Sequence, residues 1–383
     1  MKAVAMNNVG STIKQPTGYL AYVPKKLFPG GPEGLAYDVE LINLVSEADR
    51  ALGELNGITK ILKNPDLFIA FYVKKEALLS SQIEGTECSL DEVLQVNEKT
   101  SEVKPVAEVV NYIEAMNLGL KSLEDIPFSQ RLMKEIHKIL LSDVRGQEKS
   151  PGEFKRYQNW IGPAGCTLQE ATFIPTPPNI TMEYMGDLES YYHQDSKLPP
   201  LIKAAILHSH FETIHPFSDG NGRLGRLLIT FLLCERKILD KPLLYLSLFF
   251  KEHKSEYYKL LMDVRLKGDW EGWIKFFLRG VRNTSFEAAK TARELINLVE
   301  AQRELISKEI KKLSYAHTIY SILIEHPVIS VTRLSKEFNI NYPTVQRTLD
   351  EFERRGIVNY SLAPSGKVVK LTEYLSILKR GTE

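Results

Sequence analysis

Residues 215–226 read His-Pro-Phe-Ser-Asp-Gly-Asn-Gly-Arg-Leu-Gly-Arg, and no other stretch constrains the fold as tightly. Pro216 and the glycines that follow break regular structure, so one helix must end before His215 and another must begin near Arg223. A base, a carboxylate, an amide between glycines and two arginines fall within that single turn. They are the ingredients of a site that handles a metal-bound polyphosphate.

The remainder of the chain supplies helices to hold such a loop. Val39, Ile42, Val45, Ala48, Leu52 and Leu55 recur at helical spacing over 38–56. A second helix is expected from Pro65 to about Gly85, with Asn64 as its cap and Pro65 at its first position. Further helices are expected at about 90–97, 104–122, 128–143, 181–193, 198–213, 223–237, 254–266 and 270–282, with a long charged linker helix over 285–312. The Gly- and Pro-rich first 35 residues, ending in Phe28-Pro29-Gly30-Gly31-Pro32-Glu33-Gly34, predict an extended surface arm. Trp160 to Leu168 and Thr172 to Pro178 predict a β-hairpin ahead of the glycine-rich loop.

From residue 314 the pattern changes to short helices and strands. Ser330 is placed to cap 331–338, Asn339-Ile340-Asn341 is a turn, and Gly356 ends a helix over 342–355. A hairpin over 357–362 and 367–371, turning at Ala363-Pro364-Ser365-Gly366, completes a winged helix. The fold class is therefore mainly α, with an arm over 1–35, helical regions over 36–110 and 111–285, a linker helix over 286–313 and a winged helix over 314–383.

At 383 residues the chain can bury more than one core. A formal net charge of +1 gives no global field toward nucleic acid or an anionic membrane. Cys88, Cys166 and Cys234 are too few and too scattered for a disulfide framework or a zinc cluster, and read as free thiols. Met1 to Asn8 hold no apolar h-region, and no run approaches the roughly 18 apolar residues of a spanning helix. A cytoplasmic protein without a membrane partner is expected.

Within the loop, His215 is suited to general-base work on a hydroxyl. Asp219 offers a hard oxygen to Mg²⁺, which takes one or two carboxylates besides substrate phosphates. Gly220, Asn221 and Gly222 let backbone amides turn toward an anion, and the following helix adds its N-terminal dipole. Arg223 and Arg226, three residues apart, share a helix face. His208, His210 and His215 do not form a zinc-like shell, and the first two are expected to pack or to hydrogen-bond.

This run resembles the signature of the Fic family, His-x-Phe-x-Asp/Glu-Gly-Asn-Gly-Arg-x-x-Arg, and matches it at every specified position. The resemblance covers about residues 36–285 and implies a Fic-type helical bundle with a β-hairpin flap and its catalytic domain over 111–285. It implies a protein adenylyltransferase that moves AMP from ATP, with Mg²⁺, onto a Ser, Thr or Tyr hydroxyl of a target protein or of itself. His215 is then the base, Asp219 the metal ligand and Phe217 the anchor of the loop. Gly220, Asn221, Gly222, Arg223, Leu224, Gly225 and Arg226 form the ATP-binding stretch, with the arginines on the β- and γ-phosphates. Glycine at 222, where a kinase-like branch of the family has lysine, favours nucleotidyl transfer.

Three further features follow from the resemblance. Ser80-Ser81-Gln82-Ile83-Glu84-Gly85 is similar to the family's inhibitory-helix pattern, which nominates Glu84 as the partner of Arg226 and Ser80 as its orienting hydroxyl. A solvated surface glutamate is the alternative. Thr172 and Phe173 are candidates for a flap that aligns the target by strand addition, against an ordinary surface hairpin. Tyr257-Tyr258 resemble residues bordering the adenine, with Tyr258 the better match and core packing the alternative.

The winged helix carries nine Lys/Arg against seven Asp/Glu over 314–383, a weak footprint for DNA. Val345, Leu349 and Phe352 are expected inward, with Arg347 and Arg354 exposed beside Asp350 and Glu351. A protein-contact role, including a homodimer, is favoured over DNA binding. Two competing functions stand beside the transferase: a hydrolase that removes AMP with water aligned by Glu84, and a nucleotide-sensing DNA-binding regulator.

Overall fold

A computed structural model describes residues 9–32, 34–62, 65–95, 104–195, 197–363 and 366–381. The expected Asn64 cap, the end of the helix expected at 90–97, Glu33, the first eight residues and the Pro364-Ser365 turn lie outside the described residues.

Two strands, β1 (Gly10–Lys14) and β2 (Leu20–Pro24), precede the helices α1 (Val39–Thr59), α2 (Pro65–Ile83), α3 (Leu90–Gln95), α4 (Lys104–Asp125) and α5 (Gln130–Leu140). Then come α6 (Pro178–His193), α7 (Pro200–Ile214), α8 (Asn221–Glu235), α9 (Leu246–Glu252), α10 (Lys254–Lys267) and α11 (Trp270–Glu309). The C-terminal region holds α12 (Ala316–Glu325), β3 (Val328–Ser330), α13 (Val331–Glu337), α14 (Tyr342–Arg354), β4 (Val358–Ala363), β5 (Gly366–Leu371) and α15 (Thr372–Lys379). The molecule is mainly helical, as the periodicity predicted. Local chemistry sets the helix starts: Asp38, Ser129 and Asp269 accept amide hydrogens three residues on, from Leu41, Leu132 and Gly272.

At the centre lies α7, whose residues from Leu201 to Ile214 are all buried. A helix without a polar face must be covered on every side. Only a shell of neighbours can hold it, and that shell fixes both ends of α7, including the one that delivers His215. No helix among the described residues is long and apolar enough to cross a membrane.

Four expectations are corrected. The helices expected at 270–282 and 285–312 are one helix, α11, because Thr284 Oγ1 donates back to Gly280 O at 2.8 Å and Ser285, Ala288, Ala289 and Ala292 are buried. Ion pairs from Lys275 to Asp38 and Glu40, and from Arg282 to Glu47, tie it along α1. The arm is not simply extended: β1 and β2 pair in antiparallel register, Thr12 opposite Tyr22, and Asp187 accepts the amides of Leu27 and Phe28. The hairpin expected at 160–175 shrinks to one bridge, Ile161 with Phe173, because a capping box between Thr167 and Glu170 winds a 3₁₀ turn instead. Finally, α9, β3 and α15 were not foreseen, each being eight residues or fewer.

The winged helix forms as expected. Its sheet has the order β3-β5-β4, all antiparallel, with Tyr360 opposite Val369. Ser330 Oγ accepts from the Arg333 amide at 3.2 Å, and Val345, Leu349 and Phe352 are buried. Cys88, Cys166 and Cys234 are free thiols.

Candidate active site

His215 stands at the C-terminal end of α7, at φ 50° and ψ 60°, with its amide donating to Phe211 O at 2.8 Å. A non-glycine residue in this left-handed region is strained, and surrounding contacts must hold it there. Asn159 and Lys155 do so. The Asn159 amide donates to His215 O at 3.0 Å and to Phe217 O at 2.7 Å, while Lys155 Nζ donates to Ile214 O, His215 O and Asn159 Oδ1. Burial pushes the Lys155 amine well below its ordinary value, and three oxygens take its protons.

Phe217 is fully buried and stacks on His137 at 3.8 Å between centroids, so it anchors the loop. Asn221 closes the turn from the other side, accepting from the Phe217 amide at 2.9 Å and donating to Phe217 O at 2.8 Å. His137 fixes the carboxylate segment. Its Nδ1 accepts from the Gly152 amide at 2.9 Å, which places the proton of the neutral ring on Nε2, donating to Asp219 O at 2.9 Å.

The first turn of α8 has no side-chain cap, and Gly220 precedes it at φ +76°. An uncapped helix start presents its amides and its positive dipole end to an anion. Asp219 lies just ahead, 37% exposed, with Oδ1 accepting from the Gly220 amide and standing 3.9 Å from Arg223 Nη2. Gly146 leaves room beside it, since a Cβ there would press on Asp219 Oδ2 at 2.8 Å. An accessible carboxylate next to a phosphate-receptive helix start suits Mg²⁺ carried in on a polyphosphate, whose oxygens would fill the remaining positions. Among the described residues no group of three metal-ligating side chains occurs.

Arg223 and Arg226 are both buried, and each meets an acid from the N-terminal helices. Arg226 Nη2 pairs with Glu84 Oε1 at 2.8 Å, while its Nε donates to Ser80 Oγ at 2.7 Å and Nη2 also to Ser80 O at 2.9 Å. Burial works against this guanidinium charge, yet Glu84, Tyr257 and Tyr112 hold its pKa above the ordinary arginine value. Glu84 sits in the turn after α2, where carbonyls attract cations. Lys254 Nζ accordingly caps Ile83 O at 2.7 Å and Arg145 caps Glu84 O at 3.1 Å. Glu108 Oε2, on α4, faces Arg223 at 3.8 Å and Arg145 at 3.6 Å.

The other candidates separate into near and far. Tyr258 is 41% exposed, with its ring 5.1 Å from that of Tyr257. Tyr257 is core: its hydroxyl meets His208 Nε2 at 2.8 Å, and His208 Nδ1 lies 2.9 Å from Gly225 O. A carbonyl only accepts, so Nδ1 carries the proton and the tyrosine donates. His210 is buried, its ring pushed down to about 3 by burial. Thr172 is exposed, whereas Phe173 is buried under the Arg265 guanidinium at 4.0 Å. Ile174 O accepts from the Tyr22 amide at 2.8 Å, so the arm braces the flap segment.

The sequence did not nominate Lys155, Asn159, His137, Arg145, Glu108 or Glu212. None lies in a motif; Glu212 meets His215 from three residues away on the same helix, and the contacts of the others with the site span from tens of residues up to more than a hundred. Lys155 and Asn159 stand i,i+4 ahead of the expected flap; that spacing was the one visible hint.

Residues 42–121 match the model described as Fic/DOC family N-terminal, and residues 127–233 match that of the Fic/DOC family. Residues 311–363 match that described as iron dependent repressor, N-terminal DNA binding domain. Among relatives, a protein of Aquifex aeolicus named probable protein adenylyltransferase is 27% identical over 197 residues, 48% of this chain and 54% of that protein. The protein adenylyltransferase Fic of Drosophila melanogaster is 28% identical over 247 residues, 62% of this chain and 45% of that protein. The chain thus spans about half the length of these relatives. A Fic family protein from Desulfovibrio desulfuricans G20 shares the fold with a TM-score of 0.57 at 20% identity, over 88% of this chain and 98% of that one.

Proposed function

We propose that this chain, which belongs to the Fic family, is a protein adenylyltransferase held in check by its own N-terminal region. It transfers AMP from ATP to a Ser, Thr or Tyr hydroxyl of a target protein, or of itself. The observation that carries the reading is the convergence, on one helix start, of His215, Asp219 and two buried arginines, one of them already paired with Glu84 at 2.8 Å.

In the working state, phosphate oxygens take the amides of the Gly220–Gly222 turn, and the β- and γ-phosphates take Arg223 and Arg226. Asp219 would hold Mg²⁺, which would supply positive charge for the departing pyrophosphate. His215 accepts the proton of the target hydroxyl as its oxygen bonds to the α-phosphorus. The bond from that phosphorus to the bridging oxygen breaks, and pyrophosphate leaves with the electron pair. Tyr258 borders the base, and Thr172 and Phe173 lie along the segment that would align the target strand.

Glu84 and the γ-phosphate cannot occupy Arg226 together, so the resting protein is weakly active. Incubating wild type, Glu84→Gly and His215→Ala with α-labelled ATP and Mg²⁺ tests this. Strong protein-bound label in Glu84→Gly, weak label in wild type and none with His215→Ala or with EDTA is expected. Equal labelling by all three proteins would sink the mechanism. Release of AMP from pre-labelled protein by wild type, lost in Glu84→Gly, would instead favour the hydrolase.

The winged helix serves protein contact in this reading, including contact with a second copy. Four of its nine basic residues are matched with acids among the described residues: Arg333 with Glu337, Arg354 with Glu351, Arg355 with Glu351 and Glu309, and Arg380 with Glu294. Its family model carries DNA binding in its name, which keeps a regulator as the second reading. Sedimentation of the full chain, with and without duplex DNA at 50 and 200 mM salt, separates the two.

A further inference from the structure

Three residues before His215, on the last turn of α7, Glu212 places a buried carboxylate against the far side of the imidazole. Its Oε2 faces His215 Nδ1 across 3.5 Å, with side-chain exposures of 8% and 18%. His215 Nδ1 is buried and has no hydrogen-bond partner among the described residues, and neither has Glu212 Oε1. A buried carboxylate is costly unless something cationic or protic answers it.

The space for this carboxylate is built. Gly225, on α8, carries no side chain where a Cβ would come within 2.6 Å of Glu212 Oε1. The turn beneath it is pinned by Arg265, whose Nη2 donates to Glu212 O at 2.9 Å and whose Nε donates to Thr213 Oγ1 at 3.1 Å. Burial pushes the Glu212 carboxyl up, while the contact with His215 and the nearby Arg226 hold it below the ordinary carboxylate value.

We propose that Glu212 is the positioning residue of the base: it accepts the Nδ1 proton of His215, holds the ring in the Nδ1–H tautomer, and so leaves Nε2 bare to receive the proton of the acceptor hydroxyl. This rests on the transferase reading for its catalytic consequence. The tautomer itself does not depend on that reading. A neutral imidazole protonated on Nε2 has no lone pair there and cannot act as a base through that nitrogen. As the hydroxyl proton arrives, the same carboxylate faces the imidazolium and stabilises it, which is the role an orienting acid plays beside a catalytic histidine.

Two measurements on the full chain test the assignment. The first is ¹⁵N NMR of the histidine rings at neutral pH, with His215 identified by its loss in His215→Ala. Wild type should show the Nδ1–H tautomer. Glu212→Gln, whose amide oxygen still accepts, should retain much of it, and Glu212→Leu should shift to Nε2–H. An Nε2–H ring in wild type, or the same ring in all three, overturns the proposal whatever the enzyme does.

The second is labelling kinetics in the Glu84→Gly background. Glu212→Gln should lower kcat by about 10-fold and Glu212→Leu by about 100-fold, each leaving the KM for ATP within about twofold. Glu212→Asp should recover part of the loss. Unchanged kcat in Glu212→Gln, or a loss that Asp does not repair and that comes with a raised KM and a lower Tm, reduces Glu212 to a packing residue and overturns the proposal. If Glu84→Gly itself gives no His215-dependent label, the transferase reading fails on its own, and the NMR comparison still decides the pair.

Discussion

A Cβ placed on Gly222 would land on Glu84 Oε1, the oxygen that meets Arg226 at 2.8 Å. Glycine at 222 therefore leaves space for the contact between Glu84 and Arg226. The obstacle is the tip of a side chain that is 31% exposed, so a methyl group should turn the carboxylate away rather than move the backbone. Gly222→Ala is expected to label itself with α-labelled ATP more strongly than wild type, yet less than Glu84→Gly, because the added carbon also stands 3.1 Å from Arg226 Nη1. A double variant with Glu84→Gly measures any loss on the phosphate side, and the cycle isolates the effect on the pair. Wild-type labelling in Gly222→Ala, with no loss in the double variant, would contradict this.

Breaking the pair should also cost stability. Arg226 is 2% exposed, and without Glu84 its guanidinium keeps, among the described residues, hydrogen bonds only to the hydroxyl and carbonyl of Ser80. Removing one member of a buried pair costs up to 3–5 kcal/mol, and the partial exposure of Glu84 lowers that to about 1–3 kcal/mol. Glu84→Gly should melt several degrees below wild type, and ATP with Mg²⁺ should raise its Tm more than that of wild type, since the nucleotide supplies the missing anion. Thermal scans with and without nucleotide read both effects. Equal nucleotide shifts in the two proteins would mean that Glu84 does not compete for Arg226.

The strained His215 backbone depends on side chains that lie outside its own motif. Asn159→Ala removes the donor shared by His215 O and Phe217 O and should cost about 1–3 kcal/mol. In the Glu84→Gly background it should lower labelling by at least about 10-fold, since a base displaced by about 1 Å loses its alignment. Asn159→Asp, which keeps the shape but cannot donate, should behave like the alanine variant. If Asn159→Asp labels normally, the two hydrogen bonds do not hold the base.

How far the sequence alone reaches is set by the range of the contacts. The signature was legible because twelve adjacent residues carry its whole chemistry, and Ser80 and Glu84 because their run resembles the family's inhibitory-helix pattern. Lys155 and Glu108 were not, because what makes each matter is a partner brought near by folding; Glu212 lies only three residues from His215 but outside the signature that carried the reading. Asn283 and Thr284, between the helices expected at 270–282 and 285–312, are weak helix formers. Packing against α1 overrides that local preference. In the flap the opposite held, and the local capping box of Thr167 and Glu170 outcompeted strand pairing.

His137 gives the fold a pH dependence whose sign can be worked out. Burial pushes its ring down to about 4 from the ordinary 6.5, and its two hydrogen bonds, from the Gly152 amide and to Asp219 O, require the neutral Nε2–H form. Between those values the unfolded chain binds a proton that the folded chain refuses. Its contribution is thus complete above about pH 6.5 and is lost as pH falls toward 4, by at most about 3 kcal/mol. His210 and His208 are also shifted down and act in the same direction. Glu76, which burial pushes up to about 7, opposes them: its contribution is present below about pH 4.5 and is lost as pH rises through 7. The total slope therefore assigns nothing, and a variant is needed. Unfolding in urea at pH 7, 6, 5 and 4.5 should show wild type more stable than His137→Gln at pH 7, with the gap closing steadily toward pH 4.5. A gap that stays constant across that window would mean that His137 binds its proton equally in the folded and unfolded chain, and that it does not hold the Asp219 segment as a neutral ring.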